Sequence, residues 1–193
     1  MRLGPDGRVA GAHQIASPNC DARPAGARIS LLVLHSISLP PGKFGGDAVE
    51  RLFTNRLDAG AHPYFRDLVH LRVSAHFFVR RDGSLVQFVP VHLRAWHAGM
   101  SRWRGADRCN DFSVGVELEG CDDSAFAGTQ YRRVIALARA LTRQLRLRAC
   151  AAHSDVAPER KTDPGPAVPP RGYGSVTTCT KTTTSSAEVL IAH

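Results

Sequence analysis

The 193-residue sequence contains no Cys-x-x-Cys pair, no His-Glu-x-x-His, no block of five or six like charges and no internal repeat. Without Cys-x-x-Cys there is no zinc-ribbon or redox dithiol signature, and without His-Glu-x-x-His no helix-borne zincin site. The five cysteines (Cys20, Cys109, Cys121, Cys150 and Cys179) are odd in number and show no paired spacing. They are expected to be buried reduced thiols in a reducing compartment. A long apolar run is missing too. The most apolar stretch, residues 29–34, falls far short of the about 18–20 residues that a membrane span needs. The first twenty residues, MRLGPDGRVAGAHQIASPNC, hold no apolar core of a secretory signal. A cytoplasmic address is therefore expected, with no membrane partner.

Charge is present in one sign more than the other. Lys and Arg number 25 against 17 acidic residues, a net +8, and only Lys43, Lys161 and Lys181 are lysine. The arginines are dispersed, which argues for a solvated surface or an anionic small substrate and against a nucleic-acid partner. One domain is expected at this length.

Residues 1–28, rich in Gly, Pro, Ala and Arg, read as a loosely structured lead-in. Residues 29–36 (ISLLVLHS) fit a buried strand whose end emerges at a sheet edge. A short helical turn is expected at 47–53 with Asp47 as its N-cap, and another at 62–70. Segments 74–80 and 84–89 flank Arg81-Asp82-Gly83, the clearest hairpin signal in the chain. Residues 92–111 read as irregular. Along 113–119, Val114, Val116 and Leu118 alternate with Gly115, Glu117 and Glu119, so two carboxylates share one face of a strand. Residues 129–148 carry the best helical periodicity, and 149–153 a short strand. The Thr- and Ser-rich residues 168–193 are expected to be a disordered tail.

Three side chains suit one metal ion. His35 ends one expected strand, His153 ends another, and Asp163 follows ten residues later. Two imidazoles and a carboxylate, with a fourth position left to water, form the open arrangement of a hydrolytic zinc site. Asp163 precedes Pro164 and is thereby restricted to extended backbone, which puts Lys161 and Asp163 on the same side. A cation there can stabilise an oxyanion. Hydrolysis also needs a general base, and either Glu117 or Glu119 could supply it.

The blocks LLVLHSISLPPGKFGG, AHPYFRDLVHLRVSAHFFVRRDGSLVQFVP, RAWHAG, RCNDFSVGVELEG and AHSDVAPERKTDPGPA resemble the AmpD-type N-acetylmuramoyl-L-alanine amidases, over residues 14 to 167. These belong to the amidase_2 family, whose fold is shared with peptidoglycan recognition proteins and phage T7-type lysozyme. The resemblance implies a single α/β (α+β) domain over 29–167, with a mixed central β-sheet flanked by helices. It implies Zn2+ held by His35, His153 and Asp163, with Glu117 and Lys161 as catalytic residues. The implied substrate is an anhydro-muropeptide in cytoplasmic cell-wall recycling, cut at the lactyl–L-Ala amide by a monomer. Trp96 would wall the sugar, Arg72 and Arg108 would meet stem-peptide carboxylates, and Ser36 would be a polar contact. Relatives continue after GPA with a closing helix, and this chain departs from them there. A noncatalytic peptidoglycan-binding module would lack a ligand. A lytic amidase of polymeric wall would bring a signal peptide or wall-binding repeats.

Overall fold

Seven consecutive residues with no charge and no proline, Leu31–Ile37, form the strand that carries His35. In the computed structural model, which describes residues 1–165, the elements run β1 (His13–Gln14), β2 (Cys20–Ala22), β3 (Leu31–Ile37), α1 (Ala48–Phe53), β4 (Phe77–Val79), β5 (Leu85–Gln87), β6 (Leu93–Ala95), β7 (Arg102–Trp103), β8 (Ala106–Asp107), β9 (Ser113–Glu119), α2 (Gly128–Leu145), β10 (Ala149–Ala152) and α3 (His153–Val156). Six strands make one mixed sheet in the order β1-β5-β4-β9-β3-β10, and only the β4–β5 pair is antiparallel. Every residue of β9 is buried, as befits a parallel strand covered on both faces.

Alternation along the strands sorts the two faces. Leu32, Leu34, Val114, Val116 and Leu118 pack with Val134, Leu137 and Leu141 of α2. The opposite side chains, Leu31 and Val33, pack with Ala98, Cys109 and Val156. His35 and Glu117 fall on this second side by the same period of two. Helix α2 is anchored by one buried side chain. Gln130 donates to the carbonyls of Val79 (3.1 Å) and Glu119 (3.0 Å) and accepts from the amide of Ala127 (2.9 Å). Gln130→Leu leaves those buried groups unpaired, at about 1–3 kcal/mol each. A loss of about 3 kcal/mol is expected, read as a melting midpoint lower by roughly 6–12 °C. An unchanged midpoint would show that the helix does not depend on this anchor.

Most of the expected elements appear. The hairpin turns at Asp82-Gly83, where φ of +85° at Gly83 suits glycine and an added Cβ would meet Thr129 at 3.1 Å. Asp47 precedes α1, but its carboxylate makes no cap bond and instead pairs with Arg51 at 2.8 Å. The turn expected at 62–70 shortens to one 3-10 turn, Pro63–Phe65. The stretch 92–111 is more regular than expected, holding β6, β7 and β8. Cys109 and Cys150 are buried and Cys20 and Cys121 half-buried. Cys179 and the expected tail, 168–193, lie outside the described residues.

The loose lead-in is the clear correction. Strand β1 extends the main sheet, β2 pairs with β6, and Leu3 and Val9 sit in the core. Arg23, far from being solvated, donates to the carbonyls of Asn110 (2.9 Å), Asp111 (3.0 Å) and Ser113 (2.8 Å). Five main-chain carbonyl contacts in all, with Val91 taking two, let a half-buried guanidinium satisfy its donors. Burial pushes its pKa down to about 10.

Candidate metal centre

The parallel register builds the site. His35 of β3 stands directly opposite Glu117 of β9, and Ala152 of β10 opposite Leu34. His153, the next residue, therefore reaches the level of His35 as the chain turns into α3. Three strands thus end together at the carboxyl edge of a parallel array, the usual place for a ligand in such sheets. The loop after α3 returns Asp163 to the same point, where its carbonyl accepts from the amide of Ser154 (3.0 Å).

The His35 and His153 Nδ1 atoms lie 2.9 Å apart. Asp163 Oδ2 is 3.1 Å from the His153 Nδ1 and 3.6 Å from the His35 Nδ1. These spacings bracket the about 3.3 Å between donors that bonds of about 2.0–2.1 Å impose around tetrahedral zinc. Both imidazoles are buried. Burial lowers the His35 pKa to about 4, leaving a neutral ring with a lone pair to offer. Burial alone would raise Asp163, yet hydrogen bonds from His153 and His35 outweigh it and hold the carboxyl well below the usual range. Two neutral nitrogens and one anionic oxygen fit a divalent zinc ion. Among the described residues, His35, His153 and Asp163 are the one group of three or more His, Cys, Asp or Glu side chains placed to hold a metal.

A cavity of about 620 Å³ opens beside these donors, well within the size of a small-ligand site. Its polar end is lined by the three donors, Ser36, Glu117 and Lys161, and its apolar wall includes Leu39, Phe53, Leu68 and Val73. Glu117 is buried there, with Oε2 lacking a hydrogen-bond partner among the described residues. Burial pushes its pKa well above the ordinary value, the Asp163 charge adds to this, and Lys161 opposes it. Glu119, on the same strand face, is differently employed. Its Oε1 accepts from the Gly45 amide (2.5 Å) and its Oε2 from the Arg81 amide (2.9 Å), pinning two loops together.

The sequence matches the profile of the N-acetylmuramoyl-L-alanine amidases (Amidase_2) across residues 25–166. The chain belongs to that family. It is 51% identical over 163 residues to the 1,6-anhydro-N-acetylmuramyl-L-alanine amidase AmpD of Escherichia coli K12, covering 83% of this chain and 89% of the relative. A crystal structure of a selenomethionine AmpD derivative superposes with a TM-score of 0.83 at 50% identity, covering 86% of this chain and 94% of that one. The E. coli amidase AmiD, solved in complex with the substrate anhydro-N-acetylmuramic acid-L-Ala-D-γ-Glu-L-Lys, superposes with a TM-score of 0.53 at 30% identity, covering 76% of this chain and 57% of that one. The expected family, fold and enzyme class are thus found.

Not every expected contact of this amidase lines the cavity. Arg72 is exposed, with Nη1 donating to the carbonyls of Val69 (3.1 Å) and Leu71 (3.2 Å). Arg108 is exposed beside Asp111 at 3.3 Å, and the Trp96 indole N–H donates to Asp21 (3.2 Å). The two arginines find partners within three residues, whereas the Trp96 indole is held by β2, the strand paired with β6. Sequence reasoning overlooked His97, whose ring touches His35; only its place in RAWHAG marked it.

Burial makes the metal-free amidase acid-sensitive. His35, His76 and His97 are buried and held below their ordinary 6.5, in each case first by loss of water. Unfolding frees all three to take protons below that pH. Glu117, raised above its ordinary 4.5, works the other way and releases one. The three rings outnumber the one carboxyl, so unfolding takes up net protons between about pH 4.5 and 6. Stability should therefore fall as pH drops through this window, by about 1.4 kcal/mol per pH unit for each net proton taken up. Denaturant melts in chelator across this window give the slope, and a flat profile would mean that these rings are not buried neutral.

Proposed function

We propose that this amidase is zinc-dependent and hydrolyses the amide between the lactyl group of 1,6-anhydro-N-acetylmuramic acid and L-Ala, acting as a monomer on cytoplasmic muropeptides in cell-wall recycling. The observation that carries the reading is the convergence of His35, His153 and Asp163 beside a buried Glu117 whose Oε2 has no hydrogen-bond partner among the described residues. The activity of the E. coli relative, a 1,6-anhydro-N-acetylmuramyl-L-alanine amidase, and the anhydro-muropeptide bound in the AmiD complex support the substrate. No helix among the described residues is long and apolar enough to cross a membrane.

His35 and His153 would hold zinc through Nδ1, and Asp163 through a carboxylate oxygen. Zinc, when bound, supplies Lewis-acid polarisation of the amide carbonyl and acidifies water. The chain's own groups do the rest. Glu117 Oε2 takes the proton of the attacking water and passes it to the departing amine of L-Ala. A raised pKa suits both halves of that task, since the group must accept a proton and then give it up. The Lys161 ammonium stabilises the oxygen that becomes negative as the carbonyl turns tetrahedral. The apolar wall keeps water from competing for these charges. Ser36 offers a hydroxyl at the cavity; Trp96, Arg72 and Arg108 lie outside its lining and would meet the sugar and the stem-peptide carboxylates only where the substrate extends past it.

The test is incubation of the zinc-loaded protein with anhydro-muropeptide and, separately, with intact murein, followed by mass spectrometry. The expected products are the anhydro-sugar and a free peptide from the first substrate. Faster release of peptide from murein would overturn the recycling assignment.

A further inference from the structure

We infer that His97 is a positioning residue for the metal centre, holding His35 in the tautomer that leaves Nδ1 free to bind zinc. This rests on the metal-site reading above and concerns a residue that reading does not use.

His97 follows β6 and is held from every side. The amides of His97 and Ala98 both donate to Asn110 Oδ1, at 3.3 and 2.8 Å. Its ring lies over Gly115 of β9, where an added Cβ would come within 2.5 Å of it. Only glycine lets the imidazole approach the strand this closely. So placed, His97 Nδ1 is 2.9 Å from His35 Nε2, and His97 Nε2 is 3.1 Å from Ser113 Oγ. The His35 and His97 rings meet edge to face, with centroids 5.0 Å apart and planes at 86°.

The direction of the proton chain follows from these contacts. A His35 Nδ1 that binds a metal carries no proton, so the ring's proton sits on Nε2 and donates to His97 Nδ1. His97 must then carry its own proton on Nε2, where it donates to the Ser113 hydroxyl. That hydroxyl can accept as well as donate, so the chain ends without conflict. His35 is thus the ligand whose far nitrogen has a built acceptor; the corresponding Nε2 of His153 has no partner among the described residues. Such outer partners fix ring orientation and commonly carry 10–100-fold in metal affinity.

The experiment measures zinc affinity on the full chain, stripped with chelator and titrated with zinc alone against a competing chromophoric chelator. His97→Leu removes the acceptor while filling space, and is expected to weaken zinc binding by about 10–100-fold. His97→Asn offers a carbonyl oxygen near the position of Nδ1 and is expected to recover most of the affinity. A purely space-filling role predicts the reverse order. Imidazole 1H–15N correlation spectra of the zinc-loaded protein should show both His35 and His97 protonated on Nε2, and Ser113→Ala should mix the His97 tautomers. Should His97→Leu fail to fold, the tautomers and the Ser113 variant decide. Wild-type zinc affinity in His97→Leu, or a His97 proton on Nδ1, overturns the inference alone. A wild-type chain that binds no zinc overturns the metal-site reading and this inference with it.

Discussion

Glu117→Gln is expected to lower kcat by about 10²–10⁴-fold while leaving stoichiometric zinc in place. Gln keeps the size of Glu and can fill the same buried position, but it cannot accept a proton at Oε2. Glu117 is not among the three converging donors, so the metal should not depend on it. Lys161→Ala should likewise retain zinc and cost about 10²–10³-fold, the usual loss for one oxyanion stabiliser. Glu119→Gln is the informative control, since it shares the strand face and is equally buried. Its carboxylate serves the Gly45 and Arg81 amides, so the amide variant leaves one of them facing an N–H₂ group. The expected result is a loss of about 1–3 kcal/mol in stability with turnover little changed. A Glu119 variant as damaged in kcat as the Glu117 variant would sink the assignment of the base.

His153→Ala should abolish both stoichiometric zinc and turnover. His153 Nδ1 is the donor closest to both others, 2.9 Å from the His35 nitrogen and 3.1 Å from Asp163. Without it one imidazole and one carboxylate remain, too few for a three-ligand hydrolytic site. Metal content by elemental analysis, and activity after chelation and zinc re-addition, check the expectation. Full turnover in rigorously metal-free wild type would end the zinc mechanism. Zinc should also raise the midpoint of thermal unfolding in wild type but not in the variant, because binding to the folded state alone stabilises it by mass action.

What the sequence made legible were features that repeat along the chain. The near-continuous apolar run of β3, the alternation of β9 and the helical stripe of α2 each extend far enough for their period to be read. The Asp-Gly turn was legible because left-handed backbone demands particular residues there. Strands β1 and β2 were not, since two or three residues carry no period and each gains its stability from a distant partner. Neither was the role of Arg23, which depends on carbonyls 68 to 90 residues away. Residue spacing left the choice between Glu117 and Glu119 open. Their difference lies in which loops come to rest on β9, a tertiary fact. His97 was illegible for the same reason.

The position of β10 also orders the making of the protein. It joins the sheet only through β3, at the edge, and Asp163 follows His35 by 128 positions (163 − 35). At a synthesis rate of about 5–20 residues per second, roughly 6–26 s separate the first ligand from the last. Until β10 is made, 117 positions after His35 (152 − 35), the open side of β3 is an unpaired, largely apolar edge, the kind of surface on which nascent chains adhere to one another. The three donors exist together only after the ribosome has passed Asp163, so a metal held by all of them would load after nearly all of the sheet has been synthesised.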